Sequence, residues 1–131
     1  MTCVRSSMIY GSETWAMNAE QLQRLDRTEM RMVRWMCGVS LRERETSNAL
    51  RQRIGIEAVG DVVKRGRLRW LGHVLRKEDD DWVKKCMLYE VDGRRERGRP
   101  SLTWWHLVEI YMRGMTKEDA VDQGRWTKLS W

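Results

Sequence analysis

At 131 residues the chain is about the length of one domain, able to bury roughly two thirds of the surface that its unfolded form exposes. With 41% apolar and 34% charged residues it is too apolar for a disordered chain and too charged for a membrane one, and no apolar run approaches the ~18 residues that a span needs. The net charge of +6 favours a polyanionic partner; +4 of it falls in residues 58 to 100 and +2 in residues 19 to 57.

In chain order, the run CVRSSMIYG at 3 to 11 is too brief to separate a strand from a helix end. Asn18 with Gln21 three residues on forms a capping-box start. Leu22, Leu25, Glu29, Met32, Val33 and Met36 then repeat at helical spacing up to Gly38, which predicts a helix over 19 to 37. The polar SLRERE reads as a loop. Thr46 or Ser47 caps a short helix through Ala49, Leu50 and Ile54 that Gly55 stops.

From Ala58 to about Lys77 the chain predicts a longer helix. Val62, Val63, Gly66, Trp70, Leu71, Val74 and Leu75 form its apolar side, and Arg65, Arg69 and Arg76 fall along another. Gly66 and Gly72 each cost such a helix up to about 1 kcal/mol against alanine, which points to close packing or a bend. Residues 82 to 91 fit no period cleanly and lean to helix. A helix opened by Pro100 or Ser101 carries Trp105, Val108, Tyr111 and Met112 on one face before Gly114. Thr116 with Asp119 resembles a further cap, and a last helical piece from Lys117 to about Leu129 presents Ala120, Val121, Trp126 and Leu129. The expected fold is mainly α, a small irregular bundle of five to six helices with basic loops.

Motifs for chemistry are sparse. Asp79, Asp80 and Asp81 read as a solvated loop and not as a Mg²⁺ site, since nothing places a second acidic cluster opposite them. His73 and His106 read as packing histidines without a nucleophile beside them. Cys3, Cys37 and Cys86 show no CxxC spacing and read as free buried thiols. No glycine-rich phosphate loop occurs. These observations predict no catalytic residue, no metal and no cofactor. The absence of a signal-peptide pattern predicts a nuclear or cytoplasmic protein.

Two basic stretches remain. KRGRLRW at 64 to 70 sets arginines at helical spacing next to an aromatic, a pattern that grips phosphates but also occurs on ordinary solvated helix faces. GRRERGRP at 93 to 100 holds the RGRP core of a minor-groove hook. Its downstream flank SLTWWHLV is apolar, however, so it reads better as a basic lead-in to a helix whose positive end could rest on a phosphate.

Taken in order, MIYGSETW (8 to 15), MRMVRWMCGVSLRER (30 to 44), RGRLRWLGHVLR (65 to 76) and GRRERGRPSLTWW (93 to 105) resemble the region that follows the polymerase core in non-LTR (LINE-type) retrotransposon endonuclease/reverse transcriptases. Gly124, Arg125 and Trp126 look like the closing D-R-x-x-W segment of that family. In such proteins an endonuclease, then fingers and palm, come first, and the palm aspartates of a [FY]-x-D-D turn hold Mg²⁺. That turn does not occur here, and the KEDDDW context of Asp79 and Asp80 departs from it.

The resemblance therefore implies a thumb-like, post-palm fragment that is not an enzyme by itself. It divides the chain into a polymerase tail (1 to 18), a thumb-like helical region (19 to 92) and a basic lead-in with C-terminal helices (93 to 131). It implies sequence-independent contact with the backbone of an RNA template or RNA/DNA hybrid, or with DNA, and no membrane partner. The residues expected to make that contact are Lys64, Arg65, Arg67, Arg69 and Arg76, followed by Arg94, Arg95, Arg97 and Arg99. Alternatives are a co-opted helical protein-interaction module and a nonfunctional remnant of a degenerate element.

Overall fold

A computed structural model describes residues 2 to 90, 93, 98 and 103 to 130. Among them the secondary structure is entirely helical, so the fold is mainly α as expected. The α-helices in chain order are α1 (Thr2–Ile9), α2 (Ala19–Cys37), α3 (Ser47–Ile54), α4 (Val59–Leu75), α5 (Trp82–Leu88), α6 (Trp104–Met112) and α7 (Gln123–Ser130); short 3-10 turns occupy Leu41–Glu43 and Glu118–Ala120. The chain forms two compact units, Met1–Lys64 and Arg65–Trp131, with the division inside α4.

In the first unit, α2 starts where its cap dictates. The Gln21 amide donates to the Asn18 side chain at 2.8 Å and the Asn18 amide donates to the Gln21 side chain at 2.9 Å. At the other end Gly38 takes φ 66°, the left-handed conformation that turns the chain without a Cβ penalty. Met30 and Val33 of α2 pack with Val39 and Leu50 in the core of this unit, and Ile54 and Ile56 lie against it. Thr46 caps α3, accepting from the Ala49 amide at 3.2 Å, and Gly55 at φ 72° ends it. Residues 2 to 9, which the sequence left undecided, are helical. Arg5 of α1 reaches the buried Glu29 of α2 with its Nε 3.1 Å from a carboxylate oxygen, and also donates to the Glu57 carbonyl.

The second unit is organised around Trp126. Leu68 and Leu71 of α4, Val108 and Met112 of α6, Ala120 and Trp126 form its core, with Trp104, Trp105 and Tyr111 packed on the margin. The indole N–H of Trp126 donates to the Leu68 carbonyl at 2.8 Å, so its polar handle is satisfied in the interior. A Cβ on Gly72 would lie 2.4 Å from Trp126 Nε1. Close packing, rather than a bend, is thus the reason for that glycine.

Helix α6 begins at Trp104, with Thr103 accepting from the His106 amide at 3.3 Å; Pro100 and Ser101, expected to open it, lie outside the described residues. Two stretches differ from the sequence reading. The piece expected over 117 to 129 is broken. Asp119 accepts from the Thr116 amide and hydroxyl, and Asp122 then accepts from the amides of Gly124 (2.8 Å) and Arg125 (3.1 Å) to start α7 anew. SLRERE is not merely loop; the Glu43 carboxylate accepts from the Ser40 amide at 3.1 Å and closes a 3-10 turn.

The thiols correct an expectation too. Cys3 and Cys86 are exposed, because the short helices α1 and α5 offer only a narrow inner face, and Cys37 at the end of α2 is half-buried; all three are free. No helix of the described residues is long and apolar enough to cross a membrane.

Candidate nucleic-acid interface

At about 100° per residue, Arg65 and Arg69 fall on one side of α4, within roughly 40° of each other, and Arg76 follows the last residue of the helix. Arg69 is exposed and Arg65 half-buried. Arg76 is also half-buried, and its Nη1 donates to the Ala120 carbonyl at 2.9 Å. Part of its donor capacity thus holds the Glu118–Ala120 turn. Lys64 is half-buried and sits roughly 100 to 140° around the helix from Arg65 and Arg69, so it does not extend their row.

Arg67, also expected at a phosphate, lies in the interior. It is fully buried, its guanidinium carbon 5.9 Å from the Tyr111 ring centroid and its Nη1 3.4 Å from the Tyr111 hydroxyl. A cation removed from water needs donors matched and a polarisable partner, and the Tyr111 ring and hydroxyl contribute to both. Arg67 occupies the core side of α4, one turn from Leu71. Alternation of arginine with other residues in RGRLR hid this, since three arginines at i, i+2 and i+4 cannot all face one way on a helix.

Leu71 and Val74, expected to pack, are buried, as is Leu68, and Trp70 is half-buried with its ring edge-on to Trp104 at 5.2 Å between centroids. His73 and His106 are both exposed, contrary to the packing role expected of them; each lies on the outer side of an amphipathic helix. Arg94, Arg95, Arg97 and Arg99 lie outside the described residues.

The acidic loop is occupied by its own lysines. Lys84 donates to Asp79 at 2.7 Å, Lys85 to Asp80 at 2.6 Å and Lys77 to Asp81 at 3.0 Å. Asp81 also caps α5, accepting from the amides of Val83 and Lys84. The hydrogen bond from Lys84 holds the Asp79 carboxyl below its ordinary range, and that from Lys77 does the same for Asp81. Among the described residues no group of three or more His, Cys, Asp or Glu side chains is placed to hold a metal ion. An open cleft of about 410 Å³ in the first unit is lined by Leu22, Asp26, Arg51, Ala58 and Asp61, and its two carboxylates do not suit a polyanion.

Exposed arginines are not confined to α4; α2 carries them as well. On the side of α2 away from Val33, Arg27 and Arg31 are exposed and lead to an exposed Trp35. The signal was present in the i, i+4, i+8 spacing of these three, on the side away from the buried Val33.

Over 122 residues the chain is 28% identical to a Caenorhabditis elegans protein named "putative uncharacterized transposon-derived protein"; the alignment covers 89% of this chain and 43% of the relative. The chain therefore spans less than half the length of that relative. No protein-family model matches the chain, and no solved structure does. The similarity relates the chain to a protein described as transposon-derived.

Proposed function

We propose, starting from that relationship to a transposon-derived protein, that this chain is the helical segment following the polymerase core of a non-LTR retrotransposon reverse transcriptase, and that it grips nucleic-acid backbone without reading sequence. The observation that carries the binding role is the side of α4 where Arg65 and the exposed Arg69 lie together within the RGRLRWLGHVLR block. The four ordered sequence blocks support the origin, and the surplus of +4 in residues 58 to 100 supports a polyanionic partner. Arginines that project from a helix and read no base edge suit an RNA template or an RNA/DNA hybrid, whose geometry offers phosphates and sugars more readily than a readable groove. Polymerase chemistry in this reading belongs to residues outside the chain, and Arg67 contributes packing.

Fluorescence anisotropy with labelled RNA/DNA hybrid, at a series of salt concentrations, tests this directly. The logarithm of the affinity falls linearly with the logarithm of the salt concentration. Arg65→Ala with Arg69→Ala weakens binding to every sequence alike, by about 1 to 2 kcal/mol together, and flattens the slope by about 1 to 2. A flat slope for the unmodified protein, or loss confined to certain sequences, refutes the reading.

A further inference from the structure

We infer that the first unit carries a second nucleic-acid surface, a stacking platform for single-stranded RNA or DNA formed by the solvent face of α2 and the Leu41–Glu43 turn, with Trp35 receiving an unpaired base. The inference rests on the nucleic-acid role proposed above and adds a site and a strand state to it.

Four observations lead there. First, Trp35 is 84% exposed, although an aromatic side chain buries roughly 150 to 250 Å² when packed, and Leu41 is 79% exposed. Second, Arg27, Arg31 and Trp35 stand in one line along α2 at four-residue intervals, at roughly 120 to 160° from the buried Val33. Third, the chain after α2 is folded back onto its last turn: the Val39 amide donates to the Arg34 carbonyl at 3.0 Å, and Arg34 Nη2 donates to the Glu45 carbonyl at 2.8 Å. That clamp fixes the exposed Arg42 and Arg44 at the Trp35 end of the line.

Fourth, the charges are sorted. Residues 27 to 44 hold five arginines and two glutamates. Both glutamates are engaged internally, Glu29 with Arg5 and Glu43 with the Ser40 amide and hydroxyl. Among the described residues Arg27, Arg31, Arg42 and Arg44 form no ion pair, so the face turned to solvent is cationic.

The combination selects the occupant. Arginines in a line match successive phosphates, and an indole flanked by them offers a π-face to a base. A duplex base is already stacked on its neighbours, whereas an unpaired one gains from the indole, so the platform favours single strands. RNA and DNA present the same chemistry here, and the test separates them.

Anisotropy is measured on the full chain with short mixed-sequence single-stranded RNA, the same sequence as single-stranded DNA, and the corresponding duplex. Trp35→Ala weakens single-strand binding by about tenfold and duplex binding by less than about twofold, while Trp35→Phe retains most of the single-strand affinity. Arg31→Ala with Arg42→Ala lowers the salt slope for single strands by about 0.7 per arginine removed. All these side chains are exposed, and circular dichroism confirms that each variant keeps its helices. A larger loss with RNA or with DNA identifies the strand that the platform prefers, within the proposal.

Unchanged affinity in Trp35→Ala, with loss in the Arg65 and Arg69 variants, overturns the platform and leaves the role of α4 standing. Equal losses on duplex and single strand overturn the stacking mode. Self-association that disappears in Trp35→Ala without any change in oligonucleotide affinity also overturns it, in favour of a second copy of the chain as occupant. No binding of any nucleic acid by the unmodified chain removes both proposals.

Discussion

Gly72 and Trp126 are a matched pair, and the match explains a residue that propensity alone would have penalised. The indole lies where a Cβ on residue 72 would be, at 2.4 Å from that position, and it is held there by its bond to the Leu68 carbonyl. A buried, hydrogen-bonded indole has no free rotamer into which to retreat. Gly72→Ala, favourable for an isolated helix, therefore destabilises this protein by about 2 to 3 kcal/mol. Urea unfolding checks the sign, and a variant as stable as the parent contradicts the packing described. Arg67 makes a related point at the same scale, because a cation in an apparently basic patch packs against the Tyr111 ring while Arg69, two residues on, is exposed.

At the scale of elements, helix ends were more readable than helix faces. The box between Asn18 and Gln21 satisfies orphan amides that nothing else in the first turn of α2 reaches. Asn18→Ala accordingly costs about 1 kcal/mol, measurable as a lower thermal midpoint together with faster amide exchange at Gln21. Faces were harder because several helices are short. Helices α1, α3 and α7 each have only eight residues, too few to be stable alone, so their inner faces are set by partners. The Asp122 cap shows the same competition: its side chain takes the amides of Gly124 and Arg125 and interrupts what periodicity presented as one helix.

For the whole molecule, the pH dependence of stability has contributions of opposite sign. In the first unit, burial raises the Glu29 carboxyl above its ordinary range, against the opposing pull of Arg5 and then Arg51. Because its folded value lies above the unfolded one, the folded state holds the proton more tightly, and the contribution of Glu29 is greatest in acid and declines as pH rises through the folded value. In the second unit, hydrogen bonds from the Thr116 amide and hydroxyl lower Asp119. Its contribution is present above the ordinary carboxylate range and is lost as pH falls through the lowered value. Glu29→Gln, which is neutral throughout, consequently gains stability relative to the parent as pH climbs from the carboxylate range toward neutrality. Paired urea titrations at several pH values measure that gap, and a gap that narrows with rising pH contradicts the assignment.

What the sequence determined by itself was local or statistical: the mainly α class, the caps of α2 and α3, the surplus charge, and the apolar positions Leu71, Val74, Val108 and Trp126. Each depends on neighbours within one or two turns, or on composition, and such information survives in a one-dimensional chain. Tertiary structure decided which arginines face water, why residue 72 is glycine, and how Glu29 comes to be paired with Arg5. Those outcomes depend on side chains brought together from up to 58 residues apart, as Trp126 and Leu68 are. Burial of a polar group is settled by whether a distant partner satisfies it, and no spacing rule along the chain carries that information.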